Sequence, residues 1–76
     1  MFEKVVSIIS ECLEKSSNEI QGSDEFRNYE EWDSLAYLSV IAAIDEQFGF
    51  VIPLEDFREC RTVMDLANYL EHHIIG

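Results

Sequence analysis

Apolar residues recur three and four apart from the start of the chain, with Phe2, Val5, Val6, Ile9, Cys12 and Leu13 forming one stripe. That period predicts an amphipathic helix from Phe2 to about Leu13. Glu3 near its start and Lys15 near its end agree with the helix dipole. From Ser16 to Trp32 the pattern dissolves, because Ser16, Ser17, Asn18, Gly22, Ser23 and Asp24 favour turns over helix continuation. A loop this long is uncommon in a small domain unless it is functional or pinned to the core. Ile20, Phe26, Tyr29 and Trp32 are the candidate pins, and the spacing of the last three also fits a short helical turn leading to Asp33.

The next apolar segment opens at Asp33, whose carboxylate can accept from backbone N–H groups two or three residues on and so cap a helix. That helix is expected to run to about Phe48, carrying Leu35, Leu38, Val40, Ile41, Ala42, Ala43, Ile44 and Phe48. So broad an apolar surface predicts a central helix touched on several sides. Gly49 suits the left-handed residue after a helix, with Phe50 available for the accompanying apolar contact. Phe50-Val51-Ile52-Pro53 reads as an extended connector, because nothing else in the chain offers a strand to pair with it. Pro53 then opens a short helix from Leu54 to about Phe57 or Arg58. Thr62-Val63-Met64-Asp65 has the form of a capping box, with Asp where Glu or Gln is commoner. Val63, Leu66, Ala67, Leu70 and Ile74 follow it at helical spacing. The expected architecture is all-α: a small irregular four-helix bundle with three longer helices, a short third helix and a long loop between the first two.

Length and charge narrow what such a bundle does. The 76 residues suffice for one domain, 1–76, and are too few for two cores. A domain of this size buries only about 60% of the surface its unfolded chain exposes, leaving little interior for a catalytic pocket. Sixteen Asp and Glu against five Lys and Arg give a net charge of −11. That charge repels nucleic acid and steers in proteins with basic surface patches. His72 and His73, as helical neighbours, point roughly 100° apart, which argues against a shared metal. Asp24 to Asp33 lacks the alternating oxygen ligands and central glycine of a calcium loop. Neither a glycine-rich phosphate cradle nor a nucleophile–base pair is evident. Cys12 and Cys60 stand in no metal or redox spacing and read as small apolar residues of a reduced, cytoplasmic protein. Met1 leads straight into a segment broken by Glu3, Lys4 and Glu11, so no cleavable leader is expected. Nor does any apolar run approach the roughly 18 residues that membrane insertion needs.

One stretch carries chemistry. Glu31-Trp32-Asp33-Ser34-Leu35 places a serine hydroxyl at the mouth of the second helix, where backbone N–H groups and the dipole favour an anion such as a phosphate. Ser34 is therefore the candidate modification site. In its wider setting, Tyr29-Glu30-Glu31-Trp32-Asp33-Ser34-Leu35, the stretch resembles the acyl carrier protein and peptidyl carrier protein superfamily. Ile44-Asp45-Glu46-Gln47-Phe48-Gly49-Phe50-Val51-Ile52-Pro53 is similar to that family's acidic-Phe-Gly-x-x-Ile-Pro run, and Thr62-Val63-Met64-Asp65-Leu66 to the start of its last helix. Length, acidity and order of elements extend the likeness over nearly the whole chain. Asp-Ser-Leu alone recurs by chance, whereas the four features in register are specific.

The resemblance implies a stand-alone carrier on which a phosphopantetheinyl transferase moves 4′-phosphopantetheine from coenzyme A to Ser34, forming a phosphodiester. The thiol of that arm would hold an acyl or aminoacyl group as a thioester. The resemblance also implies that Asp33, besides capping, helps the transferase position its metal and the serine. Leu35, with Leu38, would flank the arm and contact partners, although both also suit a core. The implied partners are the transferase, an acyl or aminoacyl ligase, and a downstream synthase or transferase with basic docking surfaces. The protein itself is expected to be a monomer and not an enzyme, since the chemistry belongs to the arm.

Two positions depart from the fatty-acid-synthesis type, which usually has an acidic residue where this chain has Ala36 and often a Glu where it has Ser39. The exposed face of the second helix is accordingly expected to be less acidic and more apolar, with Tyr37 nearby, which changes the choice of partner. That points to an amino-acid, secondary-metabolite, lipid or polysaccharide pathway. The alternative is an unmodified carrier-like module that works only through its acidic face.

Overall fold

The helical periodicities are realised as α1 (Phe2–Leu13), α2 (Ser34–Phe48), α3 (Leu54–Glu59) and α4 (Val63–Leu70). The computed structural model describes residues 1–75, with side chains through Ile74. Short 3₁₀ turns occupy Ser17–Glu19 and Phe26–Asn28, the second of them where the aromatic spacing suggests one. Among the described residues no strand forms, and Phe50 to Pro53 connects α2 to α3 without helix or strand; Glu25 and Thr62 make an isolated antiparallel bridge.

α1 buries Val5, Ile8, Ile9 and Leu13. Ile8, absent from the predicted stripe, lies in the core, whereas Phe2, Val6 and Cys12 sit half-buried at the margin of the face. The helix ends on Glu14 in the left-handed region at φ 53, its N–H donating to the Ser10 carbonyl.

α2 begins where Asp33 caps it: Oδ1 accepts from the Ala36 N–H at 2.7 Å. It ends where Gly49, at φ 66, donates its N–H to the Asp45 carbonyl at 2.7 Å, a conformation that glycine adopts without the Cβ penalty. Phe50 packs against the rings of Tyr69 and His73. The buried side chains of α2 are Ala36, Val40 and Ile44, a single stripe of residues four apart. Tyr37, Ile41, Ala43 and Phe48 flank it half-buried, while Leu35 and Leu38 are 73% and 58% exposed. The expectation of a helix touched on several sides is thus corrected, since its outer face is left bare. The reading of Ala36 is corrected with it: at 5% exposure this residue belongs to the buried stripe, and only Ser39 removes an acidic group from the exposed face.

The long loop is held by backbone and side chain together. The N–H groups of Met64 and Val63 donate to the carbonyls of Gly22 and Asp24 at 2.9 and 3.0 Å, satisfying donors that the first turn of α4 leaves without helical partners. A Cβ on Gly22 would come within 3.2 Å of Met64 Cε and 3.3 Å of Phe2 Cε1, so glycine permits this close approach. Ile20 and Phe26 are buried, with Tyr29 and Trp32 half-buried. Asp24 Oδ2 accepts from the Tyr29 hydroxyl at 2.7 Å and the Gln21 N–H at 3.0 Å, bonds that hold its carboxyl below the usual value of 3.8. Arg27 crosses to α3, donating from Nη1 to the Cys60 carbonyl at 2.6 Å and from Nη2 to the Phe57 carbonyl.

α4 opens with the predicted capping box. Asp65 N–H donates to Thr62 Oγ1 and Thr62 N–H to Asp65 Oδ2, each at 3.1 Å. Backbone bonds from Thr62 and Arg61 hold the Asp65 carboxyl below 3.8. Past Leu70 the helix widens into a π-helical turn, Glu71–Ile75, instead of continuing as α to Ile74. There the Tyr69 carbonyl lies 3.0 Å from His73 Nδ1, and the two rings stack at 4.1 Å.

Because native Asp65 and Asp24 bind their protons more weakly than the unfolded chain does, their contribution is present above the unfolded pKa of 3.8 and lost as pH falls through the lower native values. Asp65→Asn is expected to cost about 1 kcal/mol at neutral pH. In thermal melts that gap from wild type should narrow once the pH drops below 3.8. Arg27→Met keeps the apolar stem but removes both donors to the end of α3, with an expected loss of about 1–3 kcal/mol. Faster amide exchange concentrated in α3 would locate the effect.

Candidate cofactor attachment site

Ser34 is the first residue of the 15-residue α2, directly after its cap, and it is exposed. The cap fixes where the helix starts and so which hydroxyl stands at its positive end. Upstream, Lys15 ties the approach to α1. Its Nζ lies 3.2 Å from Glu19 and 3.7 Å from Glu31, and 4.9 Å from the Tyr29 ring centroid.

Two open depressions flank the serine. The larger, about 380 Å³, runs between α2 and α3 and includes Asp33 and Ser34 themselves. Trp32, Tyr37, Leu54 and Phe57 give it an apolar floor, and Arg27 and Arg58 give it positive charge. Phe57 is the centre of the floor: Trp32 stacks on it at 6.3 Å, Tyr37 meets it edge-on at 5.2 Å, and Phe26 lies 5.6 Å away beneath. The Arg27 guanidinium sits 5.0 Å from the ring centroids of both Phe26 and Phe57. Arg58 is exposed and makes no ion pair among the described residues. The smaller depression, about 190 Å³, lies toward α1 and is bordered by Cys12, Glu14, Glu31, Leu35 and Ser39. Asp33 borders both depressions, so the side toward α3 is aromatic with two guanidinium groups and one carboxylate, and the side toward α1 carries Glu14, Glu31 and Asp33.

These residues fit a phosphodiester on Ser34. The hydroxyl is accessible, the helix dipole is favourable, and a free guanidinium borders the same groove. The Asp33 carboxylate opposes an anion, but one of its oxygens is engaged by the Ala36 N–H. Leu35 and Leu38 are exposed on α2 and are not core residues. Cys12 and Cys60 are free thiols, and burial pushes both upward in pKa, so they behave as small apolar groups. Among the described residues no three His, Cys, Asp or Glu side chains gather as a metal site.

The groove itself was not legible in the sequence reading, apart from Trp32 and Tyr37. Arg27, Leu54, Phe57 and Arg58 come to Ser34 only through packing of the loop and α3 onto α2. The available signal was compositional, since two of the chain's five basic residues border this one groove.

Comparison with known proteins gives the same picture. The family model described as "Phosphopantetheine attachment site" matches residues 3–70. An acyl carrier protein of Helicobacter hepaticus is 31% identical over 70 residues, covering 92% of this chain and 92% of that one. One from Clostridium acetobutylicum is 33% identical over 73 residues, with 96% and 95% covered. One from Bdellovibrio bacteriovorus is 35% identical over 68 residues, with 90% and 87% covered. A phosphopantetheine-site match over nearly the whole chain, together with relatives of this identity and coverage, shows that the chain belongs to the acyl carrier protein superfamily.

Proposed function

We propose that the chain is a stand-alone carrier, one domain spanning residues 1–76, that holds acyl or aminoacyl intermediates as thioesters on an arm attached to Ser34. As a member of this superfamily it is a carrier rather than an enzyme, and its cofactor is covalently attached 4′-phosphopantetheine. The observation that carries the assignment to Ser34 is an exposed hydroxyl on the first residue of a side-chain-capped helix, inside the matched region.

When bound, the arm supplies the thiol that bears the cargo. The chain's own residues present it. Asp33 fixes the start of α2, so that Ser34 faces a docked transferase, and its free oxygen is available toward that enzyme's metal. Leu35 and Leu38 offer apolar contact beside the attachment point, while the net charge of −11 steers in partners with basic docking surfaces. Those partners are a phosphopantetheinyl transferase, an acyl or aminoacyl ligase, and a downstream synthase or transferase. The reading places the protein in the cytoplasm as a monomer, consistent with two free cysteines and with no described helix long and apolar enough to cross a membrane.

Incubation with coenzyme A and a broad-specificity phosphopantetheinyl transferase should add the mass of one arm to the wild type and nothing to Ser34→Ala. No gain on the wild type would favour the unmodified module acting through its acidic face. Asp33→Ala should slow loading by more than its capping loss of about 1 kcal/mol explains, the latter read separately from thermal melting. Leu38→Ser should leave mass gain and melting temperature unchanged while weakening transfer of cargo from a ligase.

A further inference from the structure

An apolar cargo carried on Ser34 gains by leaving water only if the bundle can take it in. The nearest way inward lies between α2 and α3, where the structure is tied by the fewest side chains: α3 buries Phe57 alone, whereas α1 and α4 bury four each. That entrance is filled with rings. Phe57 is 2% exposed and Phe26 0%, and both belong to the same buried cluster as Val40 and Ile44 of α2. Trp32 lies over Phe57 with the two planes 13° apart, and Tyr37 meets the same ring edge-on from α2. Arg27 locks the arrangement: its guanidinium lies 5.0 Å from the ring centroids of Phe26 and Phe57 while donating to the carbonyls of Phe57 and Cys60. Withdrawing α3 to admit a chain would break those bonds and the one from the Tyr69 hydroxyl to Asp56 Oδ2 at 2.6 Å.

We propose that this aromatic plug, centred on Phe57, sets the class of cargo by keeping the acyl group outside the bundle. The carrier is then suited to acyl groups that are short or that bear a polar substituent such as an α-amino group, and not to long alkyl chains. This role rests on attachment at Ser34 and narrows the cargo from any acyl group to that class. A long alkyl chain left in water is unfavourable in proportion to its apolar area, so its carrier has to provide space for it. Here the space is close-packed, and methylenes forced into it would destabilise the fold instead. An aminoacyl group meets neither difficulty. Its ammonium is best left hydrated, since burying an unpaired charge is costly, and a surface of net charge −11 attracts it.

A broad-specificity phosphopantetheinyl transferase supplied with acetyl- or octanoyl-coenzyme A installs either acyl arm, each confirmed by intact mass. Hydroxylamine then attacks the thioester carbonyl, releasing the hydroxamate and leaving the free arm thiol, and each rate is normalised to that of the same acyl-coenzyme A. On wild type the normalised acetyl and octanoyl rates should agree, and the two forms should melt at the same temperature. Phe57→Ala opens the entrance. Its octanoyl form should be cleaved about tenfold more slowly than its acetyl form and should melt higher, the effect expected from burying as few as two methylenes. Phe57→Leu, a smaller change in volume, gives the same comparison where the alanine variant does not fold. Octanoyl protection of about tenfold on wild type overturns the proposal without any variant. Equal acetyl and octanoyl rates in the folded variant overturn the role of Phe57. Absence of added mass on wild type removes the carrier reading itself, whereas added mass with a protected octanoyl thioester removes the plug alone.

Discussion

A helix of six residues cannot hold itself in place, so the position of α3 is set by what its one buried side chain, Phe57, touches, together with the Tyr69 hydroxyl donating to Asp56 Oδ2 at 2.6 Å. The Phe57 ring is 2% exposed and meets Phe26 and Trp32 from the loop and Tyr37 from α2. Burying such a ring stabilises by about 1.5–3 kcal/mol, and each aromatic pair adds about 0.5–1.5 kcal/mol. Arg27 completes the joint from the polar side by donating to carbonyls at the end of α3. One interlock therefore orders the loop, places α3, and forms the floor of the groove beside Ser34. Without it the serine would still begin a helix, but it would have no wall on that side.

The rest of the site follows from how little of α2 is committed to the core. Three residues, Ala36, Val40 and Ile44, anchor it, which leaves Leu35, Leu38 and Ser39 outward. A helix held by one narrow stripe can present its opposite face to another protein without unfolding anything. The first turn of this helix carries no acidic residue, Asp33 and Glu31 stand just before it, and Asp45 and Glu46 sit near its far end.

Features that depend on a few neighbouring residues were legible in the sequence. Asp33 and Thr62 are caps because their short oxygen-bearing side chains reach the N–H three residues on, and Gly49 stops α2 because it alone enters the left-handed region freely. What failed to be legible depends on which side faces a neighbour. Ile8 and Ala36 are buried because they lie on the faces of α1 and α2 that meet the core, and periodicity alone does not define the limits of those faces. The outward turn of Leu35 and Leu38 was one of two readings that hydrophobicity left open, since an apolar residue on a helix is equally suited to a core or to an interface. The π-helical turn after Leu70 accompanies stacking of His73 on Tyr69, a contact that helical spacing does not reveal.

Sequence by itself determined the number and order of helices, their caps and stops, the acidity, and the serine that stands at the mouth of α2, because each is a local property of chain chemistry. Only the tertiary structure decided what surrounds that serine. Arg27 and Arg58 lie respectively before and after α2 in the chain, yet they border one groove with Ser34 and Tyr37. Their meeting depends on the loop being bonded to the start of α4 and on Phe57 filling the space between the loop and α2. Contacts between residues so far apart along the chain are made by packing, which no local pattern encodes.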